Sequence, residues 1–206
     1  NAGDGALVFS PHFPTFLPNI ERRQARAVLA PLRQEQEFRP DVARIEQFLR
    51  DDPSPKAIFL NSPHNPTGGV ATEDDLGRIA DVVRGTNIAV FSDEPYDRMV
   101  WRGRHHSLLE MPGMLEQTVA AYTFSKSFSM SGWRLGFAVS SPEIIDVLGK
   151  LTNSALSCVS PFTQMAGIVA MRDELGYRDA KMNEFRKKVE LLVEELDIHS
   201  NEVVTV

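Results

Sequence analysis

Lys126 stands among small hydroxyl residues in TFSKSFSMSGWRLGF, residues 123–137, and a single arginine, Arg134, follows in the same stretch. A buried amine tends to shed its proton and act as a nucleophile. The plain alternative is a surface lysine whose ammonium reaches solvent. Arg134 offers a planar fork suited to phosphate or carboxylate, and Thr123 and Ser125 add hydroxyl groups beside it. A second stretch, SDEPYDRMVW at 92–101, brings Asp93 directly off an apolar run, with Tyr96 shortly after. A carboxylate at such a place is partly buried and needs a positive or hydrogen-bonding partner. Glu94 and Asp97 read instead as solvated members of an acidic turn. The third stretch, NSPHNPTGG at 61–69, fixes a non-repeating backbone with its prolines and glycines, and holds Asn65 between His64 and Pro66. On its own it is also what a well-made turn looks like.

Together these side chains meet the needs of one cofactor. An amine forms an imine with an aldehyde. A carboxylate keeps a ring nitrogen protonated, so that the ring accepts electrons. A tyrosine and an asparagine hydrogen-bond a ring oxygen, while hydroxyls and an arginine bind a phosphate. Pyridoxal phosphate asks for such a set, above all a Schiff-base lysine and a partner for the pyridine nitrogen.

Residues so far apart in sequence need a frame that gathers them. Ala6–Phe9, Ala57–Leu60, Ile88–Phe91, Val119–Thr123 and Leu135–Val139 read as buried strands. Asp41–Arg50 and Thr72–Arg84 read as helices, the second opened by Thr72 with acids in its first turn and closed by Gly85. Pro142 opens a further helix. From Gly176 to Leu196 the residues Met182, Phe185, Val189, Leu192, Val193 and Leu196 recur at amphipathic helical spacing. The alternation predicts an α/β domain, a three-layer sandwich around a mostly parallel sheet. In such sheets ligands sit beyond the carboxyl ends of the strands, and all three stretches follow strands.

The 206 residues suffice for one substantial core, and 42% hydrophobic with 24% charged residues is an ordinary globular composition. A net charge of −6 argues against a general nucleic-acid binder. A lone cysteine, Cys158, permits no intrachain disulfide and no cysteine metal cluster. It reads as a small buried residue, and no metal site is expected. Apolar runs such as Ile88–Phe91 are far too short to span a bilayer. His105 and His106 read as surface residues and His64 as a spacer. Both ends read as cut: NAGDG leads straight into ALVF, and EVVTV looks like a strand without a partner.

In order and spacing, NSPHNPTGG, SDEPY and TFSKSFSMSGWRLGF resemble the motifs of the class I/II aminotransferases, the aspartate aminotransferase-like enzymes of fold type I. The resemblance covers nearly the whole chain. It implies that residues 1–196 form most of a large cofactor-binding domain and that 197–206 begin a small C-terminal domain. It implies pyridoxal phosphate as cofactor, with Lys126 as the Schiff-base lysine and proton carrier. Asp93 would pair with the pyridine nitrogen. Tyr96 and Asn65 would face the ring 3-oxygen, and Thr123, Ser125 and Arg134 would form the phosphate cup. Phe13, in SPHFPTF, stands where an aromatic stacks on the ring, although a core phenylalanine reads equally well there. A cis peptide at Asn65–Pro66 is implied, as are amino-acid and 2-oxo-acid substrates, a homodimer and a cytoplasmic location. The arginine for the substrate α-carboxylate is implied to lie in the downstream domain. A β-lyase or decarboxylase of the same fold, or an aminotransferase-like sensor domain of a transcription regulator, stays open at this level.

Overall fold

The computed structural model describes residues 1–173 and 175–195. Strands and helices alternate in the order β1 (Gly5–Ser10), α1 (Phe16–Glu21), β2 (Arg26–Pro31), α2 (Val42–Asp51), β3 (Pro55–Asn61) and α3 (Glu73–Val83). Then follow β4 (Ala89–Asp93), β5 (Thr118–Thr123), β6 (Gly136–Val139), α4 (Pro142–Leu156), α5 (Pro161–Asp173) and α6 (Leu175–Glu195). The strand-like EVVTV, the start of a small domain at 197–206, and Leu196 lie outside the described residues.

The strands form one sheet in the order β2-β1-β3-β4-β5-β6. The first five are parallel, because each link between them is long enough to cross back over the sheet. β6 runs antiparallel to β5, since the stretch bearing Lys126 and Arg134 reverses the chain between them. Only a glycine allows this closure at Gly136, where a Cβ would sit 2.6 Å from the Tyr122 carbonyl oxygen.

The period-two alternation of the strands divides the apolar residues between the faces. Leu7, Phe9, Ile58, Leu60 and Val90 face α2 and α3, where they pack with Ile45, Phe48, Leu76, Ile79 and Val83. Ala6 and Val8 face the other way, toward Phe16 and Ile20 of α1 and the rings of Phe59 and Phe91. Each fully buried Ile or Leu contributes about 2 kcal/mol through removal from water. α3 carries the predicted cap: Thr72 Oγ1 accepts from the Asp75 amide at 3.1 Å, and the Asp75 carboxylate accepts from the Thr72 amide at 3.0 Å. Gly85 follows it with φ +74°, as a helix-ending residue requires.

Three elements escape the sequence reading. β2 is an edge strand with mixed exposure, α1 is short and contains Pro18, and α5 is apolar all round. Two expectations are corrected. The apolar stripe of α6 is only partly buried: Met182 is enclosed, but Leu192 is 58% exposed, because nothing in the described residues covers that side. Cys158 is exposed rather than buried, in the bent connection between α4 and α5 where Ser157 has φ +61°.

Candidate active site

The carboxyl ends of β3, β4 and β5 lie side by side. Asn61 is in register with Asp93, and Asp93 with Ala121. Counting in twos from these pairs puts Asn61, Asp93 and Thr123 on the same face of the sheet, the face that α1 covers further down.

The loop after β3 folds back over this row. Ser62–Pro63 and Asn65–Pro66 are both cis, the second as the motif implies. His64 is a buried member of the loop, with Nδ1 2.7 Å from Thr67 Oγ1, and burial pushes its imidazole down to about 4. Gly69 closes the loop against the backbone of Phe38, where a Cβ would lie 2.6 Å from the carbonyl oxygen. So positioned, Asn65 Nδ2 donates to Tyr96 Oη at 3.2 Å. The structure thereby joins two site residues that the sequence places on separate strand exits.

Asp93 ends β4 and is half-buried. Burial, and secondarily the charge of Glu94, push its carboxyl up to about 6. No donor or cation in the described residues offsets that burial. Lys126, from the loop after β5, is exposed, with Nζ 5.4 Å from the centroid of the Tyr96 ring. Thr123 Oγ1 accepts from the Ser125 amide at 3.1 Å and donates weakly to the Leu135 carbonyl at 3.4 Å, which shapes the turn leading into Lys126. Arg134 is exposed in the left-handed region at φ +53°, with Nη1 donating to the Ser131 carbonyl at 2.9 Å. Phe13 is 38% exposed and touches Phe16 edge-on at 6.1 Å, so it is not the core phenylalanine that the sequence also allowed.

Glu94 is the main residue that sequence reasoning misplaced. It is 1% exposed, not solvated. Its carboxylate accepts from Ser92 Oγ at 2.7 Å, Ser107 Oγ at 2.8 Å and Tyr122 Oη at 2.7 Å, and His105 Nε2 lies 2.8 Å away. The alternation along β4 was the available signal: Val90, Ser92 and Glu94 share the face opposite Asp93. His105 and His106 are half-buried rather than on the surface, the first held by Glu94 and the second near Glu110 at 3.5 Å. Asp97 is half-buried as well, 3.1 Å from Arg98, and burial raises its carboxyl.

The model of the family aminotransferase class I and II matches residues 1–202. An aspartate aminotransferase of Pyrococcus abyssi is 34% identical over 90% of this chain and 47% of its own length. An aromatic-amino-acid aminotransferase of Thermococcus litoralis is 33% identical over 89% of this chain and 46% of its own. The crystal structure of an aromatic aminotransferase from Pyrococcus horikoshii superposes with a TM-score of 0.88 at 32% identity, over 96% of this chain and 53% of that one. The chain thus spans about half the length of the curated relatives it matches. With the parallel sheet, the three strand-end motifs and this span of similarity in agreement, the chain belongs to the class I and II aminotransferases.

Proposed function

We propose that the protein containing this chain is a pyridoxal-phosphate-dependent aminotransferase, which moves an amino group between an amino acid and a 2-oxo acid. The observation that carries the reading is the approach of Lys126 Nζ to the Tyr96 ring, whose hydroxyl already meets Asn65. An amine, a phenol and an amide from three strand exits thus converge on one spot. Asp93 fits the same group. A half-buried carboxyl without a donor suits a protonated ring nitrogen, and a cation there would offset the burial that raises it.

When bound, the cofactor supplies an electron sink for charge left at the substrate α-carbon. The chain supplies the rest. Asp93 holds the ring nitrogen in its protonated form. Tyr96 Oη and Asn65 Nδ2 direct hydrogen bonds at the ring 3-oxygen. Thr123, Ser125 and Arg134 would bind the phosphate, and Phe13 would be the aromatic beside the ring. Lys126 would hold the cofactor through Nζ and, as a free amine, would take the proton from the substrate α-carbon. In this reading the chain is most of the large domain, the protein is a cytoplasmic homodimer, and the substrate α-carboxylate is bound outside this chain.

The test uses the full-length protein. With pyridoxal phosphate added, it should show a visible absorbance band, and borohydride reduction followed by mass spectrometry should place the cofactor on Lys126. Lys126→Ala should lose both signals and all transamination from aspartate or aromatic donors. An unchanged spectrum in that variant sinks the assignment.

A further inference from the structure

The side chain of Asn61, the last residue of β3, joins two parts of the candidate site directly. Its Nδ2 donates to the main-chain carbonyl of Asp93 at 2.9 Å and to that of Pro63 at 3.2 Å. Its Oδ1 accepts from the main-chain amide of Asn65 at 2.9 Å. One amide group therefore touches the backbone of both Asp93 and Asn65. The other tie between the β3 loop and Asp93, from the Ser62 amide to the same carbonyl, is longer at 3.3 Å.

No other side chain fits this place. Two donated bonds and one accepted bond at this reach require a carboxamide on a single methylene. Aspartate of the same shape keeps the acceptor but loses both donors. Glutamine overreaches by a methylene, and leucine offers neither. The sheet register explains why the position falls to Asn61: it lies opposite Asp93 in the final rung of the β3–β4 ladder, just before the chain turns into the loop that carries Asn65.

We propose that Asn61 is a positioning residue for the cofactor: it sets the distance between the carboxylate at the ring nitrogen and the amide at the ring 3-oxygen. The inference rests on the reading of the site as a pyridoxal phosphate site. Asn61 itself need not touch the cofactor. It acts by keeping Asp93 and the Asn65–Tyr96 pair at a spacing that one rigid ring can satisfy at both places.

The experiment compares the full-length wild type with Asn61→Ala, Asn65→Ala, the double variant and the isosteric Asn61→Asp. Three quantities are read: the dissociation constant for pyridoxal phosphate, the midpoint of the pH titration of the bound chromophore, and hydrogen exchange at the Asn65 amide without cofactor. Loss of its three hydrogen bonds predicts that Asn61→Ala weakens binding about 10-fold and moves the midpoint toward that of Asn65→Ala. In the double variant the affinity should fall little below that of Asn65→Ala alone, because the two residues act on the same contact. Exchange at Asn65 should quicken about 10-fold in Asn61→Ala, while the β1 and β3 core amides keep their protection. Asn61→Asp keeps the bond from the Asn65 amide but sets an anionic oxygen against the Asp93 and Pro63 carbonyls, so it should weaken binding at least as much as Asn61→Ala while exchange at Asn65 stays nearer wild type, and it serves if the alanine variant fails to fold. Wild-type affinity and midpoint in both Asn61 variants overturn the proposal, as do losses that simply add in the double variant. A wild type that never acquires the absorbance band overturns the cofactor reading, and the positioning role with it. That outcome is recognised by the wild type alone.

Discussion

The wall of the site that follows β3 and β4 braces its polar side chains against one another, whereas the wall that follows β5 is packed beneath by Phe124, Phe128, Met130 and Leu135 but holds its polar side chains loosely. On the first, Asn61 ties the backbones of Asp93 and Asn65, Asn65 reaches Tyr96 at 3.2 Å, and Glu94 beneath them gathers hydroxyl groups from Ser92, Ser107 and Tyr122. On the second, Lys126 Nζ lies over the face of Tyr96 at 5.4 Å, and Arg134 spends one nitrogen on the Ser131 carbonyl in its own turn. Ser129 and Arg134 both lie in the left-handed region, at φ +54° and +53°, which costs a side-chain-bearing residue about 1–2 kcal/mol each. The contrast suits a division of labour. Recognition of a flat ring needs donors fixed beforehand, because a rigid ligand cannot adapt to them. A phosphate is gripped by charge from many directions, so its wall can take shape around the anion.

The largest effect should come from Asp93, whose carboxyl meets no donor among the described residues. Its carboxyl titrates near 6 in the folded chain, against 3.8 for the ordinary group. Below pH ~4 it is protonated whether the chain is folded or not, and it costs nothing. As pH rises through 4 to 6 the unfolded chain releases the proton first, so the folded state loses about 3 kcal/mol, and that loss persists at pH 7. Asp93→Asn should therefore make the cofactor-free protein more stable at pH 7 by about that amount, with the gain fading as pH falls from about 6 to about 4. On the proposed reading, the same change also removes the negative partner of the ring nitrogen. On the scale of a broken buried charge pair, kcat/KM should fall by roughly 10²–10³. Urea titrations at pH 4 and pH 7, beside steady-state rates, separate the two. A variant that loses stability at pH 7 would show that Asp93 has a partner within the fold after all.

Glu94 should behave in the opposite way. Its carboxylate is the shared acceptor for hydroxyls from β4, β5 and the loop at Ser107, with His105 against it. Glu94→Ala strands those donors in a site that is 1% exposed, and should destabilise the cofactor-free protein by about 3 kcal/mol. Calorimetry on the two variants thus pits neighbouring acids of one strand against each other. Removing Asp93 stabilises and removing Glu94 destabilises.

That pair also marks how far the sequence could be read. The apolar runs at Ala6, Ala57, Ile88 and Val119 were enough for a parallel sheet, and the ligand-end rule placed the site, because burial and strand order leave little choice. Thr72 and Asp75 announced their cap through local chemistry alone. For Glu94 the alternation of β4 gave the face but not the burial, because its partners Ser107 and Tyr122 come from distant segments, and three hydroxyls and a histidine look polar in isolation. Asn61 was hidden for another reason: its role depends on the rung it shares with Asp93, and register is a property of two strands, not one. The exposure of Cys158 and of the α6 stripe followed from what lies beside them, which no pattern within the segment records.

The smallest effect, and the finest probe of the contrast, lies at Ser129 on the loose wall. Its amide donates to the Lys126 carbonyl at 3.1 Å, so its left-handed backbone closes the turn that presents the lysine. Two terms oppose each other in Ser129→Gly. Relief of the Cβ clash favours the folded chain by about 1 kcal/mol, and the greater freedom of glycine in the unfolded chain takes back somewhat less. The net expectation is a gain of about 0.5 kcal/mol in the cofactor-free protein, read as a small rise in the calorimetric midpoint. The sign carries the information. A gain means that the turn adopts its strained form even without ligand, so Lys126 is presented in advance. A loss of about the glycine entropy alone means that the turn relaxes out of the left-handed region when no anion is bound, and that the second wall is built by the ligand it holds.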